Sequence, residues 1–385
     1  MSLYKVAFSI ALLIISLEVQ GQSAPIMGWS SWNHFRIHID EKMIQEQADA
    51  MVSSGLYDAG YRNINIDDGY FKGRDSLGYL LEDKKVFPSG MKALADYIHD
   101  KGLKAGIYSE AGRNTCGFYY DDDSRGKGVG MYAYLKEDTY TFFEDWGYDF
   151  IKVDWCGAKR MTLDEETEYT KIIEGVKAID PDIVFNICRW EFPGEWAIDI
   201  ADSWRISSDI RPDFRSILKI IDINADLYQY SSAGHYNDMD MLQVGRGMTY
   251  EEDKTHFSMW CMMNSPLLAG NDLRDMSKET IEILTNKEII ALNQDTGFYQ
   301  ARRISKDGDI EVWVKLLGEN GSNGKAISLM NRNEKEQTFT FKPEIAGLDK
   351  SDKIRDLWEH KDLGKIGKEK VFTIPAHGVI VLKTL

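Results

Sequence analysis

The chain has 385 residues, which is long enough for a barrel domain of about 250 residues followed by a smaller domain. Its 46 Lys and Arg residues against 62 Asp and Glu residues leave a formal net charge of −16. This excess of negative charge argues against nucleic acid or an anionic membrane as a partner. A neutral or cationic ligand is compatible with it.

The first 21 residues have the pattern of a secretory signal peptide. Lys5 supplies a small positive region, residues 6–17 form an apolar run of 12 residues, and Val19-Gln20-Gly21 offers small residues for cleavage. The run is shorter than the roughly 20 residues that a membrane-spanning helix needs. We therefore predict a mature protein that begins near Gln22, is secreted or periplasmic, and has no membrane partner. An uncleaved membrane anchor is the alternative.

Residues 22–296 alternate between buried strands with polar carboxyl ends and amphipathic helices. In one helix, apolar side chains recur at positions 91, 94, 95 and 98, with Ser89 as the predicted cap and Gly102 as the end. The alternation is typical of a (β/α)₈ barrel, an α/β fold whose active site lies at the carboxyl ends of its strands. The polar strand ends are Asp67-Asp68, Tyr108-Ser109-Glu110, Asp154, Arg189-Trp190, Asp209 and Asp238-Met239-Asp240.

The segment Asp149-Phe150-Ile151-Lys152-Val153-Asp154 is a predicted strand with two opposite charges. Lys152 and Asp154 are two residues apart, so their side chains point to the same face of the strand. Buried charges are tolerated when they are paired or functional. We expect the two to pair and the pKa of Asp154 to be lowered, which would keep it ionised near neutral pH. An ionised carboxylate at a strand end suits a nucleophile, and a structural ion pair is the alternative.

The remaining polar groups at the barrel mouth favour hydrolysis by paired acids. The sequence shows no phosphate-binding glycine loop and no cluster of histidine ligands, so we expect neither a metal nor a cofactor. Glycosidases use one ionised carboxylate and one protonated carboxylic acid. Asp154 suits the first role, and Asp209 and Glu110 are both candidates for the second.

The four cysteines divide into two pairs. Cys116 and Cys156 follow neighbouring strands, so their loops are adjacent and we predict a disulfide between them. Cys188 lies within a strand and Cys261 within an apolar run, which favours two buried free thiols.

The character of the sequence changes at Asn293-Gln294-Asp295-Thr296-Gly297. After this point, short alternating runs appear at residues 310–317, 326–330, 337–341 and 379–382, separated by turn signals such as Lys306-Asp307-Gly308. We therefore predict three regions: a signal peptide over residues 1–21, the barrel over residues 22–296, and an antiparallel β-sandwich over residues 297–385.

Several motifs in chain order resemble those of glycoside hydrolase family 27, the α-galactosidase (melibiase) group. The resemblance covers nearly the whole predicted mature chain. The matching motifs include Met27-Gly28-Trp29-Ser30-Ser31-Trp32-Asn33, Asn65-Ile66-Asp67-Asp68, Lys152-Val153-Asp154-Trp155-Cys156, Trp204-Arg205 and Asn237-Asp238-Met239-Asp240-Met241-Leu242.

The resemblance implies a retaining mechanism without a metal, with Asp154 as the nucleophile and Asp209 as the general acid/base. It also implies the Cys116–Cys156 bridge. The side chains that it assigns to the subsite of the terminal sugar are Trp32, Asp67, Asp68, Tyr108, Lys152, Arg205 and Asp240. The expected enzyme is a secreted exo-glycosidase that removes terminal α-D-galactosyl residues from oligo- or polysaccharides.

Three positions depart from the family pattern. Arg189 stands where a glutamate near the sugar C2 is common, Gly69-Tyr70 replaces Cys-Trp, and Met239 replaces a proline. Arg189 would either bind substrate or pair with a carboxylate, and Glu191 is a possible substitute for the glutamate. The alternatives on this scaffold are therefore β-L-arabinopyranosidase and α-N-acetylgalactosaminidase, and a remote one is an inactive carbohydrate-binding barrel. The number of subunits is left open.

Overall fold

The computed structural model describes residues 24–385, so the predicted signal peptide lies outside the described residues. Eight parallel strands form one curled sheet in the amino-terminal part. They are β1 (Met27–Ser30), β2 (Asn63–Ile66), β3 (Lys104–Glu110), β4 (Phe150–Asp154), β5 (Val184–Cys188), β6 (Ser203–Arg205), β7 (Tyr236–Asp238) and β8 (Leu267–Ala269). The order in the sheet is β8-β1-β2-β3-β4-β5-β6-β7.

Backbone bonds just after β7 close this sheet into a barrel. The Leu242 N–H donates to the Leu268 carbonyl at 2.7 Å, and the Gly270 N–H donates to the Leu242 carbonyl at 3.0 Å. The segment after β7 therefore pairs with β8, which already pairs with β1. The predicted (β/α)₈ barrel is confirmed. Sequence reasoning missed strands β1 and β8, whose residues are all buried and show no alternation.

Helices connect these strands and cover the barrel. Eight of the α-helices are labelled α1 (Glu41–Ser53), α2 (Met91–His99), α3 (Leu135–Thr139), α4 (Glu165–Ile179), α5 (Phe214–Asn224), α6 (Tyr250–Met262), α7 (Lys278–Leu284) and α8 (Lys287–Asn293). Four further short α-helices span Trp32–Phe35, Leu56–Ala59, Cys116–Tyr120 and Cys156–Arg160. A π-helix, Tyr140–Asp145, continues α3, and a 3₁₀-helix, Glu195–Asp199, connects β5 to β6. No helix within residues 24–385 is long and apolar enough to cross a membrane.

The predicted cap of α2 is wrong. Gly90, with φ of +95°, occupies the capping position, and the Ser89 N–H instead donates to the carboxylate of Glu41 at 2.8 Å. The positive φ turns the chain sharply into the helix, a conformation that glycine adopts without steric cost. The apolar face of α2 is buried as predicted.

The register of the central strands places the functional candidates side by side. Tyr108 on β3 is opposite Lys152 on β4, and Glu110 is opposite Asp154. Asp154 in turn is opposite Cys188 on β5. Because neighbouring strands lie about 4.8 Å apart, these side chains form adjacent rows at the carboxyl end of the barrel.

The carboxyl-terminal part is an antiparallel β-sandwich, as predicted. Six strands form a sheet in the order β9-β10-β11-β16-β13-β14, and β12 and β15 form a second, two-stranded sheet. The two sheets share a core that includes Val312, Ile327, Phe341 and Ile374. The bounds are β9 (Arg302–Asp307), β10 (Ile310–Leu316), β11 (Lys325–Asn331), β12 (Gln337–Phe341), β13 (Lys353–Asp356), β14 (Lys361–Lys365), β15 (Lys370–Ile374) and β16 (Val379–Thr384).

An ion-pair network joins the sandwich to the barrel. Arg332 contacts Asp222 of α5 and Glu311 of β10, both at 2.7 Å. Arg303 reaches the same two carboxylates, at 2.7 and 3.0 Å. Glu311 is fully buried, so the two arginines supply the opposite charge that a buried carboxylate requires.

Candidate active site

A cavity of about 350 Å³ opens at the carboxyl ends of the barrel strands. Six of the predicted site residues line it: Trp32, Lys152, Asp154, Arg205, Asp209 and Asp240. A smaller cavity of about 30 Å³ is lined by Asp67 and Tyr108, and Lys152, Arg205 and Asp240 contribute to both. The structure thus brings eight of the ten predicted catalytic and substrate-binding residues to this mouth.

Asp154 ends β4 and is 5% exposed. Burial raises its pKa to about 7. The charges of Asp209 and Asp67 also raise this pKa, whereas the charge of Lys152 lowers it. The prediction of a lowered pKa is therefore wrong, because the loss of hydration outweighs the attraction of one nearby ammonium. One carboxylate oxygen accepts the Trp155 N–H at 3.2 Å.

Lys152 forms its ion pair with Asp67, so the predicted direct ion pair between Lys152 and Asp154 is wrong. The Lys152 ammonium lies 2.9 Å from the Asp67 carboxylate. Burial alone would lower the pKa of Lys152, but the charge of Asp67 raises it well above its ordinary value. Lys152 remains a fixed cation beside Asp154, although its hydrogen bond goes to the end of β2.

Arg205 connects two carboxylates on the other side of the cavity. Its guanidinium lies 2.6 Å from Asp240 and 3.2 Å from Asp209. Arg205 and Asp240 are buried, whereas the Asp209 side chain is 65% exposed. Asp209 lies in the loop after β6 rather than on the strand itself. Asp154 and Asp209 therefore line the same cavity in different environments, since Asp154 is buried and Asp209 is exposed to solvent.

Asp240 is held in an uncommon backbone conformation. Its φ is +77°, in the left-handed region that non-glycine residues seldom adopt. Its carboxylate accepts the Ile210 N–H at 2.9 Å and the Met241 N–H at 2.7 Å, besides the contact with Arg205. These three donors fix the direction of the carboxylate.

Two other acids at the strand ends do not line either cavity. Asp68 is fully buried and accepts the Gly117 N–H at 2.8 Å, and burial raises its pKa to about 7. Glu110 accepts the N–H groups of Gly112 and Ala158 at 2.9 and 3.1 Å. Of the two candidates for the protonated acid, Asp209 is therefore the one that faces the cavity.

Arg189 is also directed away from the cavity lining. Its guanidinium contacts Glu165 at 2.5 Å and Glu191 at 2.9 Å. The adjacent Trp190, with φ of +69°, lines the cavity instead. The geometry matches the alternative in which Arg189 pairs with carboxylates, and a contact between Arg189 and substrate stays a prediction. Glu191 is 71% exposed in this ion pair.

The predicted disulfide between Cys116 and Cys156 is confirmed, with the two Cα atoms 5.2 Å apart. Each cysteine begins a short helix, Cys116–Tyr120 or Cys156–Arg160, so the bond joins the loops after β3 and β4 beside Asp154. Cys188 and Cys261 are buried and free, also as predicted. Cys188 lines the cavity, with its sulfur 3.7 Å from Arg205.

Sequence reasoning missed several residues of the cavity wall. Arg36 stacks on the Trp32 ring at 4.4 Å from the ring centre and forms an ion pair with Asp121 at 2.6 Å. Arg36 follows the Trp32 motif in the sequence, but its ion-pair partner Asp121 lies 85 residues away, so no local pattern indicated the contact. The missed side chains are Asn33, Arg36, Tyr120, Trp190, Ser208 and Met241.

Comparison with known proteins assigns the family. Residues 24–295 match the family model described as alpha galactosidase A, and residues 307–384 match the alpha galactosidase C-terminal beta sandwich domain. The chain belongs to the α-galactosidase (melibiase) family, glycoside hydrolase family 27. It is a glycoside hydrolase, as the resemblance implied.

The relatives of this α-galactosidase family member span nearly its whole length. It is 41% identical to alpha-galactosidase A of Cellvibrio japonicus, covering 97% of this chain and 96% of that protein. It is 42% identical to alpha-galactosidase 2 of Arabidopsis thaliana, with coverage of 92% and 87%. The crystal structure of alpha-galactosidase I from Mortierella vinacea superposes with a TM-score of 0.87 at 32% identity, covering 94% of this chain and 97% of that one.

Proposed function

We propose that the protein is a secreted, exo-acting α-galactosidase that works by a retaining double displacement, with Asp154 as nucleophile and Asp209 as general acid/base. The observation that carries this proposal is that the two aspartates line one cavity, one buried beside a fixed cation and one exposed at the mouth. A retaining mechanism further requires their carboxyl groups to be about 5–5.5 Å apart. The α-galactosidase relatives support the galactosyl substrate.

The roles follow from the two environments. In the first step, Asp154 attacks the anomeric carbon while Asp209 protonates the glycosidic oxygen, so that the bond to the leaving group breaks and a glycosyl–Asp154 ester forms. In the second step, Asp209 takes a proton from water, which attacks the same carbon and releases the sugar and Asp154. The exposure of Asp209 gives first the leaving group and then the attacking water access to its carboxyl group.

Two buried ion pairs would recognise the terminal sugar. The Lys152–Asp67 pair and the Arg205–Asp240 pair each present a donor and an acceptor to the cavity. Sugar hydroxyls can donate to the carboxylates and accept from the cations, and charge-assisted hydrogen bonds of this kind are the strong ones. The barrel interior closes the cavity below, which supports action on the end of a sugar chain.

The substrate is tested with aryl α-galactoside, β-L-arabinopyranoside and α-N-acetylgalactosaminide. We expect the α-galactoside to have the highest kcat/KM, by about 10- to 200-fold over the arabinoside, which lacks the hydroxymethyl group. NMR should show that the α-anomer of galactose is released first. Release of the β-anomer first would refute the retaining mechanism, and no hydrolysis of any substrate would favour an inactive binding protein.

Replacing the nucleophile tests its assignment. Asp154→Ala should lose nearly all turnover, because the glycosyl–Asp154 ester cannot form without this carboxylate. Added azide should restore cleavage of an activated aryl galactoside and yield β-galactosyl azide, identified by NMR. Wild-type enzyme with azide is the control. Retention of more than a few per cent of kcat without azide would show that Asp154 is not the nucleophile.

The role of Asp209 is tested by the leaving group. Asp209→Asn should reduce the hydrolysis of galactose-containing disaccharides by about 10²–10⁴-fold, because their leaving alkoxide needs a proton. Cleavage of a dinitrophenyl galactoside should fall much less in its first step, measured as the burst of phenolate. Asp226→Asn, at another exposed aspartate, is the matched control. Equal losses on both substrates would mean that Asp209 binds rather than protonates.

Secretion is supported by the pattern of residues 1–21 and by the Cys116–Cys156 disulfide, since such bonds persist in oxidising compartments. We expect the protein recovered outside the cytoplasm to begin near Gln22. Intact-mass measurement checks this, and a mature protein that retains the first 21 residues would contradict cleavage.

A further inference from the structure

Helix α6 contacts the strained turn that carries Asp240. The Asp240 carbonyl accepts a hydrogen bond from the indole N–H of Trp260 at 2.8 Å. This bond fixes the peptide plane that follows Asp240, at the residue whose φ is +77°. Trp260 is fully buried in α6. An unfavourable backbone conformation persists when its surroundings over-determine it, and Trp260 is one of those surroundings.

A second side chain of α6 holds the same turn three residues later. The Gln243 N–H donates to Nε2 of His256 at 2.8 Å. Burial lowers the pKa of His256 to about 3, so the ring is neutral and its Nε2 can accept. His256 and Trp260 are four residues apart on one face of the helix and pack edge to face at 4.0 Å. Trp260 therefore holds the backbone of the turn at Asp240, and His256 holds it at Gln243.

Another face of α6 is fixed by the β-sandwich. The Thr255 hydroxyl donates to the His377 carbonyl at 2.6 Å, and the Trp358 indole N–H donates to the Ser258 hydroxyl at 2.9 Å. The Ser328 hydroxyl lies 3.5 Å from the sulfur of Met259. The helix is thus held by the sandwich on one side while it holds the Asp240 turn on the other.

We propose that Trp260 and His256 are positioning residues for Asp240, and that the β-sandwich contributes to sugar binding by fixing α6. The inference rests on the proposed function, in which Asp240 contacts the terminal sugar. Without the Trp260 bond, the peptide after Asp240 is held only through its Met241 N–H, which donates to the Asp240 carboxylate itself. Peptide and carboxylate can then shift together, which weakens the alignment with Arg205. The sandwich, which adds no side chain to the cavity lining, then affects catalysis through the helix.

A double-mutant cycle tests this proposal, because Trp260 is buried and its replacement also lowers stability. Wild type, Trp260→Phe, Asp240→Asn and the double variant are compared by kcat/KM on an aryl α-galactoside and by Tm. We expect Trp260→Phe to reduce kcat/KM by about 3- to 10-fold, the size of one net hydrogen bond. In the Asp240→Asn background, the same change should cost less than about 2-fold, while its effect on Tm persists.

The matched control is Phe341→Leu, in the core that the two sandwich sheets share, which includes no residue of α6. It should lower Tm but leave kcat/KM unchanged. Equal losses from Trp260→Phe in both backgrounds, or an equal loss from Phe341→Leu, would overturn the positioning role while leaving the proposed function intact. An Asp240→Asn variant with unchanged kcat/KM would overturn both the sugar contact and this inference.

A milder variant keeps the proposal testable if Trp260→Phe does not fold. Trp358→Phe removes the bond from the half-buried interface tryptophan to Ser258, and Ser258→Ala removes the same bond from the other side. Each should reduce kcat/KM by about 2- to 5-fold in wild type and by less in the Asp240→Asn background. No loss from either variant, with α6 still folded, would show that the sandwich does not act through this helix.

Discussion

The requirement that buried charges be paired determines the arrangement of the barrel mouth. Removing an ion from water costs several kcal/mol even after relaxation, and a partner with good hydrogen-bond geometry offsets this cost. Lys152 meets the requirement with Asp67, and Arg205 meets it with Asp240. Asp154 has no such direct partner, so burial raises its pKa. The two pairs leave Asp154 as the buried acid of the larger cavity that has no ion pair of its own.

Local patterns predicted the fold and the polar strand ends, whereas the family resemblance added Trp32 and Arg205 and selected Asp209 over Glu110. Polar groups at strand ends are visible as motifs, and the (β/α)₈ barrel then places them at one mouth. The ion-pair partner of Lys152 could not be predicted from such a motif, because a long side chain can reach carboxylates on several other strands. Arg189 presents the same difficulty: Glu165 lies 24 residues before it and Glu191 two residues after it.

The missed strands have a related explanation. Strands β9 and β14 lie at the two edges of the six-stranded sheet and carry many exposed, charged side chains. Charged edge strands protect a sheet from pairing with another chain, but they also remove the alternation of apolar and polar residues on which recognition depends. The central strands β10, β11 and β16 are more deeply buried, and these were recognised together with β12, in which exposed and buried residues alternate.

One departure from the family pattern has a local structural reason that the sequence alone did not reveal. Gly69 has φ of +118°, and a Cβ atom at this position would lie 2.8 Å from the Ile37 carbonyl oxygen. A side chain there would force the backbone apart, so glycine fits the close approach of the two loops. The next residue, Tyr70, is buried and donates its hydroxyl to the Tyr108 carbonyl at 2.7 Å. Gly69-Tyr70 thus supports the wall that carries Tyr108, and neither residue lines the two cavities. The replacement therefore changes how the barrel mouth is braced and not which groups line it.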